Sequence, residues 1–170
     1  MSYIIDGSKD VIQNFMLPAL LTRLIELVNH QSLSIQIPII RTIGNLTTGT
    51  DEQTQQLINL GLLPAMLETL HHPKRSIRKE VSWVMSNLTA GTNEQLQACI
   101  DGGLIDQLSH ILLTDDATVK MEAVWALSNA TAIAKPQQFL QMVEKGLLKA
   151  LCEVLKMQEQ GIITIAIEGI

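Results

Sequence analysis

The ten residues Glu80-Val81-Ser82-Trp83-Val84-Met85-Ser86-Asn87-Leu88-Thr89 recur 42 residues later as Glu122-Ala123-Val124-Trp125-Ala126-Leu127-Ser128-Asn129-Ala130-Thr131. No other feature limits the fold as strongly. Both copies read Glu-x-x-Trp-x-x-x-Asn, and residues at i, i+3 and i+7 share one face of an α-helix. Glu80, Trp83 and Asn87 therefore form one line, and Glu122, Trp125 and Asn129 a second. One period before Asn87 stands Asn45, with Arg41 in the Trp place, and one period earlier still stands Tyr3. A period of this length belongs to units of two or three helices, which bury their apolar faces by stacking on their neighbours.

The composition agrees with an all-α chain. Apolar residues make up 46% of the sequence but aromatic residues only 3%, so the core is aliphatic, and helix formers outweigh strand formers. No apolar run reaches the roughly 18 residues needed to cross a membrane, and no signal-peptide pattern precedes the first helical stretch. The net charge of −5 argues against a nucleic-acid partner, which calls for a basic stripe. Cys99 and Cys152 fall in helical patterns with no metal or redox spacing. They read as reduced and buried, which points to the cytosol or nucleus. His71-His72 before Pro73 reads as a turn, with no third ligand spaced for a metal. Lys74, Arg75, Arg78 and Lys79 read as a solvated face. No nucleophile–base set and no phosphate loop is visible, so neither an enzyme nor a cofactor is expected.

Within the period, residues 50–91 give the fullest unit. Thr50-Asp51 caps a short helix from Glu52 to Asn59, Gly61 ends it, and Pro64 opens a second helix at Leu63–His71. Pro73 makes a turn, Ser76 caps a longer third helix to about Ala90, and Gly91 closes it. Residues 92–133 repeat the plan, with Gly102-Gly103 at the first turn and Asp115-Asp116 before a long helix at Ala117–Ala132. Residues 134–170 repeat it incompletely through Gly146, with a last helix from about Gly161. Residues 8–49 form the unit before, with a longer turn around Asn29–Ser34 and Pro38 in the first turn of its third helix; residues 1–7 end a preceding unit. Three helices, a turn glycine and this period indicate an armadillo repeat, expected to stack into a single right-handed superhelical solenoid whose third helices line the concave face. Both ends look cut, and the apolar run Ile162–Ile170 lacks the polar cap of a terminal repeat, so self-association through uncapped ends is expected.

Stacked third helices lie about 8–10 Å apart, so Trp83 and Trp125 would form walls that fit the stem of a Lys or Arg, with its charge over the rings. The amides of Asn45, Asn87 and Asn129 can pair with an extended peptide backbone, and Glu80 and Glu122 can meet the cationic heads. Arg41 would repel a cation in its own slot. Two plainer readings stand beside this one. A lone Trp on a helix is more often core than ligand site, and an Asn at a fixed helical place can serve a neighbouring backbone turn.

At these residues the chain resembles importin-α (karyopherin-α). The resemblance is carried by Ser2-Tyr3-Ile4-Ile5-Asp6-Gly7, Arg41-Thr42-Ile43-Gly44-Asn45, Thr48-Gly49-Thr50-Asp51-Glu52-Gln53-Thr54-Gln55, Lys79-Glu80-Val81-Ser82-Trp83 through Gly91, and Glu122-Ala123-Val124-Trp125 through Ala130. It implies the later repeats, roughly the sixth to eighth with parts of the fifth and ninth. It further implies recognition of basic nuclear localisation signal peptides at the family's minor site, in an adaptor moving between cytoplasm and nucleus. Trp83, Asn87, Trp125, Asn129, Glu80 and Glu122 match minor-site residues; Arg41, Asn45, Thr54 and Gly7 match flanking contacts. The Trp expected shortly before Tyr3, the major site and the basic segment that binds importin-β are not in this sequence, so importin-β is implied as a partner only if that segment exists elsewhere. The alternatives are a catenin- or plakophilin-like armadillo scaffold and a truncated fragment that binds nothing.

Overall fold

A computed structural model describes residues 12–170, so the expectations placed on Tyr3 and Gly7, and on the end of a preceding repeat at 1–7, lie outside the described residues. Every regular element among the described residues is a helix. The residues group into two compact units that divide inside one helix, after Asn87.

The first unit holds α1 (Pro18–Glu26), a 3-10 turn (Leu27–Asn29), α2 (Leu33–Leu46), α3 (Asp51–Asn59), α4 (Leu62–Thr69) and most of α5 (Arg75–Thr89). Its core is the expected aliphatic one: Leu21, Val28, Ile40, Ile43, Leu57, Met66, Ile77, Val81, Val84 and Met85 are fully buried. Asn29 ties the turn to α4, giving its Nδ2 to Glu68 at 2.8 Å and accepting the Thr69 hydroxyl at 2.6 Å. Helix α5 begins at Arg75, so Ser76 lies inside it and does not cap it as expected. The start of α2 differs too. Helix α2 begins at Leu33, so Pro38 sits inside the helix and not in its first turn. Its missing N–H forfeits one helical bond. The longer turn read from the sequence is instead shared between the 3-10 turn and the earlier start of α2.

The second unit holds α6 (Asn93–Asp101), α7 (Leu104–Thr114), α8 (Ala117–Ile133), α9 (Pro136–Glu144), α10 (Leu147–Val154) and α11 (Gln160–Glu168). Helix α7 packs on α8 and α10, and α11 packs on α8. Leu96, Leu104, Leu108, Val119, Ala123, Val124, Leu127, Leu147 and Leu151 fill the interior.

Local chemistry sets the helix starts. Thr50 accepts the N–H of Gln53 at 3.3 Å while Gln53 Oε1 accepts the N–H of Thr50 at 2.9 Å. Thr92 and Gln95 repeat the exchange at 3.2 and 3.1 Å. These reciprocal caps satisfy donors that a helix start leaves open. Beside them, hydrogen bonds from Thr50 and from its own N–H hold Glu52 below its ordinary pKa. Glu94 is lowered by its own N–H, by Thr92 and by Lys135. Gly61, Gly103 and Gly146 each precede a second helix at φ of 93°, 85° and 93°, a left-handed conformation that side chains resist.

The cysteines part company. Cys99 is buried and its thiol is pushed up to about 12 by desolvation, whereas Cys152 is exposed and not buried as the helical pattern suggested. A thiol reagent at neutral pH is expected to label Cys152 in the folded protein and Cys99 only in denaturant; mass spectrometry of the labelled peptides checks this, since the thiolate is the reactive form.

Candidate functional site

Of the candidates among the described residues, Arg41 and Asn45 lie on α2, Thr54 on α3, Glu80, Trp83 and Asn87 on α5, and Glu122, Trp125 and Asn129 on α8. On α5 the apolar stripe Ile77, Val81, Val84, Met85 and Leu88 is fully buried. Trp83 and Asn87 sit off that stripe and are half-buried, as their offset in the sequence implies.

In the first unit the Trp83 indole lies on α2 at Gly44. A methyl carbon placed on Gly44 would fall 2.1 Å from Cζ3 of Trp83 and 2.7 Å from Cη2. Asn87 reaches the same place, its Nδ2 donating to the carbonyl of Gly44 at 3.2 Å and to the hydroxyl of Thr47 at 3.1 Å. The Thr47 hydroxyl in turn donates to the Gly44 carbonyl at 2.7 Å. The reading of this Asn as a brace for a neighbouring backbone therefore describes its amide N–H2. Both bonds leave from Nδ2, so its carbonyl oxygen is not part of the brace.

Arg41 and Glu80 meet across α2 and α5, with Nη2 2.5 Å from Oε1. The Arg41 side chain is 52% exposed and that of Glu80 only 16%. The sequence set these two against each other as cation repeller and cation receiver. In the fold they are partners. An ion pair with one member this exposed contributes about 0–1 kcal/mol, so its weight lies in the charge it neutralises.

Thr54 is 4% exposed, and its hydroxyl donates to the Thr47 carbonyl at 3.4 Å across the turn between α2 and α3. Asn45 is half-buried near the end of α2.

In the second unit, Trp125 is 43% exposed, a large apolar surface on a helix whose neighbouring residues Ala123, Val124, Ala126 and Leu127 are fully buried. Glu122 and Asn129 are half-buried on the same helix. Thr131 donates to the Ser128 carbonyl at 2.8 Å, the bond that Thr47 makes to Gly44 in the first unit.

The sequence reading passed over Gly44 and Thr47, the residues that hold Asn87. Their signal was present. Thr recurs two residues after each ladder Asn, at 47, 89 and 131.

An indole, an amide and a carboxylate in line suit a cationic, extended ligand: the ring face attracts a cation, the amide pairs with backbone groups and the acid meets the charge. Among the described residues, no group of three or more His, Cys, Asp or Glu is placed to hold a metal ion, and no helix is long and apolar enough to cross a membrane.

Residues 50–90 and 92–132 each match the armadillo/β-catenin-like repeat. A designed armadillo-repeat protein in complex with the peptide (KR)4 has a TM-score of 0.93 to this chain at 29% identity, covering 99% of this chain and 70% of that one. Computationally designed armadillo repeat proteins for modular peptide recognition give a TM-score of 0.90 at 27% identity, with 99% and 70% covered. Residues 50–90 and 92–132 are armadillo repeats, and the fold of the described chain is that of armadillo-repeat proteins.

Part of it is, more particularly, homologous to importin-α. Importin subunit alpha-1b of Oryza sativa subsp. japonica and importin subunit alpha-3 of Arabidopsis thaliana are each 46% identical to it over 59 residues. Each match takes in 35% of this chain and only 11% of the relative's length.

Proposed function

We propose that this chain binds extended Lys/Arg-rich peptides along α2, α5 and α8, and that those peptides are nuclear localisation signals of cargo carried between cytoplasm and nucleus. The observation that carries the reading is the recurring Glu–Trp–Asn line, with Trp83 and Trp125 both held outside the buried stripes of their helices. Two likenesses support it: partial homology to importin-α, and a structural neighbour at 29% identity in complex with (KR)4. On this reading Trp83 and Trp125 flank Lys and Arg stems, Glu80 and Glu122 draw the charged heads, and Asn45, Asn87 and Asn129 grip the peptide backbone. Asn87 does so through its carbonyl oxygen, because its N–H2 braces α2. Glu80 meets the ligand already paired with Arg41, so a peptide cation there shares the carboxylate with a resident guanidinium. No catalytic step is part of this function.

The test is fluorescence anisotropy of labelled (KR)4 against a labelled Asp/Glu peptide of the same length. The basic peptide is expected to bind saturably and more weakly as salt is raised, since exposed charges are screened over about 8–10 Å at 0.1–0.15 M salt. The acidic peptide is expected not to bind. Equal binding of both, or preference for the acidic peptide, would replace this reading with a scaffold for acidic partners.

A further inference from the structure

We infer that Gly44 is the positioning residue of the Trp83 rung: its missing side chain sets where the indole stands, and its carbonyl sets the turn of the Asn87 amide. The functional consequence rests on the peptide-binding reading above, whereas the positioning does not.

Glycine inside a helix weakens it relative to alanine, so a helical glycine wants a reason. Gly44 is buried near the end of α2, and its backbone is not among the positive-φ glycines, so conformation does not supply one. The Trp83 ring does. A Cβ on Gly44 would lie 2.1, 2.7 and 2.8 Å from Cζ3, Cη2 and Cε3 of Trp83, all carbons of the six-membered ring. That edge of the indole rests against the α2 backbone itself. Carbon atoms pack at about 3.5–4.0 Å, so any residue with a Cβ would push the ring outward by on the order of 1 to 2 Å. A binding constellation tolerates about 0.5 Å.

The second contact is independent of the first. The Gly44 carbonyl accepts Asn87 Nδ2 at 3.2 Å, and Thr47 accepts the same amide at 3.1 Å. One residue of α2 therefore touches both the ring and the amide of the following ladder helix. Fixing both side chains in the free protein lowers the ordering cost of binding, which makes Gly44 an affinity determinant without any contact to the peptide.

The experiment uses the full chain and its two indole N–H resonances, assigned by Trp125→Phe. Gly44→Ala is expected to remain helical, to move the Trp83 resonance while leaving that of Trp125 in place, and to weaken (KR)4 binding about tenfold. Ile43→Val removes a carbon from a buried neighbour on the same helix and is expected to move neither the Trp83 resonance nor the affinity. Should Gly44→Ala fail to fold, adding Trp83→Leu is expected to restore folding, because the clash is with the ring. An unmoved Trp83 resonance in folded Gly44→Ala, or failure of Trp83→Leu to restore an unfolded one, would overturn the inference. A moved resonance with undiminished (KR)4 affinity would overturn its functional half. Absence of (KR)4 binding by the parent would sink the peptide-binding reading alone.

Discussion

Leu108→Ala is expected to lower the melting temperature by on the order of 10 °C. Leu108 is fully buried on α7, the helix of the second unit that packs on both α8 and α10. Truncating a buried leucine costs about 2–5 kcal/mol, because the lost transfer energy is joined by a cavity that neighbours fill only in part. In a chain of this size each kcal/mol moves the midpoint about 2–4 °C. The same truncation at Leu140, on α9 and 55% exposed, removes an equal side chain from solvent. It is expected to stay within about 0.5 kcal/mol of the parent. Circular dichroism melts of the two variants separate burial from composition, and equal midpoints would mean that α7 does not hold the second unit together.

The double variant Trp83→Ala/Trp125→Ala is expected to lose (KR)4 binding altogether, each single change costing about 10- to 100-fold. Aromatic anchors at the centre of a binding site carry about 2 kcal/mol or more, and tenfold in affinity is 1.4 kcal/mol. The two residues should differ in stability. Trp83 packs on Gly44, so its removal strips a contact from the first unit. Trp125 is 43% exposed, and its removal should leave the melt nearly unchanged. Peptide titrations alongside urea melts check both halves. A Trp125→Ala protein that melts like the parent but binds (KR)4 as tightly would remove Trp125 from the site.

Much of this was legible in the sequence because repeats announce themselves several times over. The Thr–Gln caps at 50/53 and 92/95 and the glycines at 61, 103 and 146 are local signals, and each falls where the structure uses it. Helix starts were less secure. Pro38 suggested a first turn because proline is favoured there, but α2 starts at Leu33, and Gln36 in its first turn is buried with its Nε2 donating to the Val28 carbonyl. Cys152 shows the limit of reading burial from periodicity, since its helix turns it outward.

The site was legible in its side chains but not in their pairings. Spacing along one helix puts Glu80, Trp83 and Asn87 on one face. What each touches on the preceding helix depends on packing between segments about 40 residues apart. The Arg41–Glu80 pair, the Asn87 brace and the Gly44 seat are all contacts of that second kind. They recast the first rung as a braced and partly neutralised line of residues.

The most direct test of the central claim is intrinsic fluorescence of the unmodified protein while (KR)4 is added. Trp83 and Trp125 are the only tryptophans in the chain, so the signal arises at the candidate site and nowhere else. A saturable change in emission that weakens with salt is the result the account predicts. A folded protein whose emission does not move at any (KR)4 concentration would contradict it, leaving the Glu–Trp–Asn lines as architecture.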